Sequence, residues 1–279
     1  MSFFRIQSLH LNLASLRIKL KPNFMGMLNT HDNRKTQFHY IPFHSMNLFI
    51  LSLDPAKIAE YMMDKHIAKI ILEAVQMLCT TKRLLDADEP TLVEMDNTIG
   101  GVYKIAHKNH PVTIWCRASQ ANFIWTLDLI DAMHTEWKYR YNHPQEKQHK
   151  SFKVAQYLRA YTPDAQKFEK VKTPGIMTPF ALAMPDEFKV RANRSSLSSS
   201  SSSSSSRCAT GTSHGKDIYD AVASYRSYYL SEPKRRIAKW GKRRGMPGWY
   251  FRGLQQSQSQ SQSQQQPHPR YRVKFVIVK

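Results

Sequence analysis

Cysteine is scarce: Cys79, Cys116 and Cys208 lie far apart, with no CxxC pair. That spacing supports neither a disulfide framework nor a cysteine zinc site, and a reducing intracellular compartment fits best. Glycine is scarce too. Ten occur in 279 residues and Gly100-Gly101 stands alone, so there is no phosphate-cradling glycine loop, which weighs against a nucleotide-acting enzyme. No run of eighteen apolar residues occurs, and no membrane-spanning helix is expected. Acids are few: 21 Asp+Glu face 41 Lys+Arg, a formal net charge of +20. A surplus of this size points to a polyanionic partner such as nucleic acid.

Enough apolar material remains for a folded domain, with 41% hydrophobic and 11% aromatic residues. Residues 1–45 form an N-terminal extension. Its first 31 residues carry Arg5, Arg17, Lys19 and Lys21 without an acid, a transit-peptide-like composition. The domain is expected over 46–252, opening on a short strand or extended segment, Met46 to Leu53. Two low-complexity tracts, Ser195–Ser206 and the Ser/Gln alternation Gln255–Gln266, cannot bury apolar surface and are expected to be solvated. The first reads as an insertion, 195–215, in a surface loop, since loop-closure entropy grows only logarithmically with length. Residues 253–279 read as a Gln/Ser-rich linker and a basic tail.

Between the tracts the apolar period is helical. Asp54-Pro55 opens a helix to about Cys79 with Ile67, Ile71, Ala74, Val75 and Leu78 on one face. Pro111 opens a second, long helix with Trp115, Phe123, Leu127, Ile130 and Trp137. Further helices are expected over 151–161, 217–230 and from Glu232 through Trp240. The fold class is therefore mainly α, a single helical domain.

On the first helix His66, Lys69, Glu73 and Gln76 are spaced by three, four and three residues, which puts them in one stripe. An imidazole, an ammonium and a carboxylate on one face suit proton transfer beside a polyanion: Glu73 as acid/base, His66 as its partner, Lys69 holding a phosphate. The same spacing also describes a wet helix face with an ordinary Lys69–Glu73 ion pair. Near the second helix, His107, His110, Arg117 and Asn122 offer polar groups to a phosphate, or caps and packing. His107, His110, His143 and His149 lack a familiar metal-ligand spacing, so neither metal nor cofactor is expected. From Ser231 to Arg252 eight cations face one acid, Glu232, and aromatics interleave. Arg117, Asn122, Arg140, Lys234, Arg235, Arg236 and Lys239 are candidate DNA contacts, and Trp249 and Tyr250 a stacking or wedge element.

These residues carry a resemblance. Leu51 to Pro55, Asp64 to Lys69 with Glu73 and Gln76 to Cys79, His110 to Trp115, Asn122 to Trp125, Glu136 to Tyr141, Thr178 to Lys189, Tyr225 to Tyr229 and Pro247 to Tyr250 resemble a family of small, mostly uncharacterised phage and large-virus proteins. More remotely the pattern is similar to pyrimidine-dimer DNA glycosylases of the phage endonuclease V type. Asp64, His66 and Glu73 match that family's Asp-x-His and its catalytic Glu seven residues on. Pro247, Trp249 and Tyr250 match its Pro-x-Trp-Tyr element. The resemblance implies attack by an N-terminal amine on the sugar C1′ of a damaged nucleotide, and β-elimination assisted by Glu73. Here 45 residues precede Met46, so an α-amine reaches the site only if they are removed. Otherwise a lysine such as Lys65 or Lys69 forms the imine, or the enzyme is monofunctional. The expected function is removal of a damaged or modified base from double-stranded DNA. The alternatives are a non-catalytic nucleic-acid-binding protein and a nucleotide-acting hydrolase or transferase.

Overall fold

The computed structural model describes residues 46–87, 102–192, 210–212 and 218–263. The expected extension at 1–45, the serine tract and the basic tail from Tyr271 lie outside the described residues. The architecture is mainly α, as the periodicity implies. Its helices are α1 (Pro55–Tyr61), α2 (Asp64–Leu85), α3 (Pro111–Cys116), α4 (Gln120–Tyr141), α5 (Phe152–Ala160), α6 (Ala221–Tyr229), α7 (Glu232–Arg235) and α8 (Gly248–Ser263). Helix α4 packs against α1, α2 and α5, and α2 also packs against α3 and α5. The expected face of α2, from Ile67 to Leu78, is buried, as are Phe123, Leu127, Ile130 and Trp137 of α4.

Both long helices expected from the sequence are broken. The first stops at Tyr61 and restarts at Asp64, because side chains from elsewhere satisfy the carbonyls that an α-helix end leaves open. Arg140 donates to the carbonyls of Ala59, Glu60 and Met62, and Trp240 Nε1 donates to that of Tyr61 at 3.1 Å. Met62 and Met63 are extended and fully buried. The second helix breaks at residues 117–119. Ser119 takes extended backbone there and its hydroxyl accepts from the Asn122 N–H, a fresh N-cap for α4. Helix α4 ends at Asn142 in the left-handed conformation.

Four short strands, β1 (Phe180–Ala181), β2 (Val190–Arg191), β3 (Thr210–Thr212) and β4 (Ile218–Asp220), form one sheet in the order β1-β3-β4-β2. Strands β1 and β3 run parallel, and the other pairs are antiparallel. Strands from both sides of the serine tract thus meet in one sheet. The low-complexity span ends sooner than expected, since 210–212 pair as β3. Met46–Ile50 form no strand: they are buried irregular backbone, and Phe49 has φ 51°. The expected helix to Trp240 is reduced to α7. The Ser/Gln alternation is not a linker as far as Ser263, because α8 runs through it.

Candidate functional site

The site is assembled on α2 by the buried segment that precedes α1. Asn47 ties that segment into a tight turn: its Oδ1 accepts from the Leu48 and Phe49 N–H groups at 2.9 and 3.3 Å, and its Nδ2 donates to the Ala183 carbonyl at 2.7 Å. The turn leaves Phe49 in the left-handed region, which a bulky residue takes only when its surroundings impose it. The Phe49 ring stacks on His66 at 4.5 Å between centroids, lies 6.2 Å from Tyr228, and meets Tyr229 edge-on at 5.3 Å.

Glu73 lies behind this turn. One carboxylate oxygen accepts the Asn47 backbone N–H at 3.3 Å, and the other pairs with Lys69 Nζ at 3.0 Å. Lys69 is half exposed and Glu73 is buried. A second amine comes from α7, 161 residues along the chain. Lys234 Nζ lies 4.6 Å from the Phe49 ring centroid and 5.1 Å from that of Tyr228. Burial lowers its pKa to about 8, with the Lys69 charge acting in the same direction and the Glu73 charge against it. Lys69 pairs with the carboxylate and Lys234 lies within its field, so the corner has a positive surplus.

His66 does not pair with Glu73 as expected; its partner is Tyr229. Burial holds the imidazole well below its ordinary value, and Lys234 and Lys69 add to the effect. Burial also pushes the Tyr229 phenol well up, so it keeps its proton. The phenol oxygen accepts the Met63 N–H at 3.4 Å, which leaves its O–H to donate to His66 Nδ1 at 2.6 Å. The imidazole proton then belongs on Nε2. This neutral ring positions Phe49 and is not a proton relay to Glu73.

The remaining candidates divide sharply. Arg140 is fully buried: besides its three carbonyls it donates to Glu136 at 2.6 Å and Asp64 at 3.1 Å. No donor is left for a phosphate. The Asp64 carboxylate also accepts the Gly241 N–H at 2.7 Å, so both are structural. Asn122 is buried as a tie, donating to the Trp115 carbonyl and Thr178 Oγ1 at 2.7 Å each and accepting the Thr178 N–H at 3.0 Å. Arg117 pairs with Glu169 at 2.6 Å and donates to the Lys108 carbonyl. Tyr250 is core, packed on Trp240 at 4.7 Å, and cannot act as a wedge. His110 caps α3 by accepting the Val112 N–H at 3.3 Å.

Trp249 is half-buried and joins the site. Its ring lies 6.3 Å from Tyr229 and 6.2 Å from Tyr61, with the Arg226 guanidinium 5.0 Å over it. Arg226 Nε in turn donates to the Leu51 carbonyl at 3.0 Å. The C-terminal aromatic thus reaches the His66 corner through Tyr229. Arg235, Arg236 and Lys239 follow Lys234 with exposed side chains, Arg236 being paired with Glu232. Sequence reasoning missed Asn47, Phe49, Tyr228 and Tyr229. The signals available were the Tyr225–Tyr229 run within the resemblance and the i, i+3, i+4 spacing of Tyr225, Tyr228 and Tyr229, which marks a face of α6. Among the described residues no three His, Cys, Asp or Glu side chains are grouped to hold a metal, and no helix is long and apolar enough to cross a membrane. No family model, curated protein or solved structure matches the chain.

Proposed function

We propose that the chain binds double-stranded DNA and removes a damaged or modified base, with Glu73 moving the proton. The observation that carries this reading is the environment of that carboxylate: buried, fixed by a backbone N–H and one ammonium, and within the field of a second amine. An acid/base group in a corner with surplus positive charge suits cleavage of a glycosidic bond beside phosphates. The exposed cations that continue from Lys234 supply the sequence-independent attraction to a backbone. Extruding the nucleotide costs a few kcal/mol, least for a damaged base. The resemblance to pyrimidine-dimer glycosylases is carried by Asp64, His66, Glu73, Pro247, Trp249 and Tyr250; Glu73 and Trp249 support this reading, whereas Asp64 and Tyr250 serve the fold.

The test is release of base from duplexes that carry single defined lesions, a thymine dimer first, by the full chain and by Glu73→Gln. Binding of the same duplexes is followed by fluorescence anisotropy. Glu73→Gln is expected to lose about 10²–10⁴-fold in release rate while binding within a few-fold of the parent. Tight duplex binding without release from any lesion favours the non-catalytic binder.

A further inference from the structure

Resting on the base-removal reading, we propose that the Lys234 ε-amine is the nucleophile that captures the C1′ aldehyde of a base-free deoxyribose as an imine. The side chain is placed for this by three separate elements. Helix α7 delivers it to the corner, the strained Phe49 turn and Tyr228 of α6 cover its amine with rings, and α2 brings Glu73 into its electrostatic reach.

Its chemistry differs from that of the other lysines nearby. Lys69 is held in an ion pair with Glu73 and its side chain is nearly half exposed; Lys65 is exposed on α2. Lys234 has rings where water would otherwise solvate it and a neighbouring ammonium that disfavours its charge. With its pKa lowered to about 8, a much larger share of the amine is neutral near neutral pH than in an ordinary lysine. The step balances without a further reactant. The amine lone pair forms the C–N bond at C1′, the carbonyl oxygen is protonated and leaves as water, and the nitrogen gives up its protons through a group able to carry them. In this proposal solvent is that group, and Glu73, whose charge acts on Lys234 from beyond direct contact, is the acid/base behind it.

The experiment uses the full chain, a duplex with one preformed abasic site, and borohydride, which reduces an imine to a stable covalent bond. Trapping of the parent is expected, with the adducted peptide containing Lys234. Lys234→Arg keeps the charge and is expected to lose at least 100-fold in adduct yield while its melting temperature and duplex binding stay near the parent's. Lys153→Arg, on an exposed side chain of α5, serves as the control and should trap normally. An adduct mapped to any other amine overturns the assignment, as does normal trapping by Lys234→Arg. No adduct from a parent that binds the abasic duplex also overturns it. Release from a lesion-bearing duplex, measured alongside, separates the two readings: release without an adduct at Lys234 removes this proposal and leaves base removal standing, and no duplex binding at all removes both.

Discussion

Two ionic clusters are built on α2 about two and a half turns apart, and they differ in how their charges close. At Asp64 two guanidiniums, Arg140 and Arg244, meet the carboxylates of Asp64 and Glu136, with Glu60 a more distant partner of Arg244 at 3.8 Å. Arg244 binds both oxygens of Glu136 at 2.8 Å, and Arg140 is further occupied by three carbonyls. Hydrogen bonds there hold Glu136 below its usual range against the opposing effect of burial. At Glu73 one amine, Lys69, pairs with the carboxylate and remains half exposed, a second, Lys234, lies within its field, and the adjoining backbone is strained. A satisfied cluster holds a fold together. An unbalanced one has unused capacity for an anion, and residues in sparsely populated backbone conformations concentrate at such places.

The largest effect that tests this contrast is Arg140→Ala. It strands Asp64 and the open carbonyls of α1, and should cost about 3–5 kcal/mol, roughly 10 °C in melting temperature for a domain of this size. Duplex affinity per folded molecule should change little. Glu73→Gln should behave the other way, keeping the melting temperature within a few degrees and losing base release. If calorimetry shows Arg140→Ala melting like the parent, or Glu73→Gln unfolding, the two clusters have been assigned the wrong roles.

A smaller effect follows from the histidines. Burial lowers His66, His134 and His149, His134 to about 4. Below about pH 6.5 the unfolded chain takes up protons that the folded chain refuses. The stability these rings contribute is therefore complete above pH 6.5 and declines as pH falls toward 4. Melting temperature against pH should show that decline. His134→Phe, which keeps a ring against Phe152 at the 3.6 Å stack, should flatten it; an unchanged slope would remove His134 as a contributor.

The smallest effects separate engaged from unengaged cations. Arg235→Ala and Lys239→Ala should each lower the slope of log affinity against log salt by about 0.9. Arg244→Ala should leave that slope unchanged, because its guanidinium is taken up by Glu136. Slopes equal to the parent's for Arg235→Ala and Lys239→Ala would mean that α7 and the loop after it do not face the phosphates.

Much of the helical framework is legible in local spacing. The apolar face of α2 and the Lys69–Glu73 pair follow from 3.6 residues per turn. The breaks at Met62–Met63 and 117–119 are not, because neither carries a proline or glycine, and Arg140 and Trp240 arrive from distant segments to hold the first one open. Local charge also misled: Arg140 read as a phosphate contact, yet it is a buried clamp with every donor engaged. Tyr250 and Asn122 were misplaced for the same reason, since period alone does not tell a wet face from a second buried one.

The sequence by itself determined a helical domain with a large positive excess and a His-Lys-Glu stripe, since periodicity and composition are properties of neighbours along the chain. Only the tertiary structure decided that His66 bonds to Tyr229 163 residues away, that Asn47 holds Glu73, and that Lys234 joins them. Those contacts cross long loops, and the burial that shifts an amine or an imidazole comes from atoms that are neighbours only after the chain has folded.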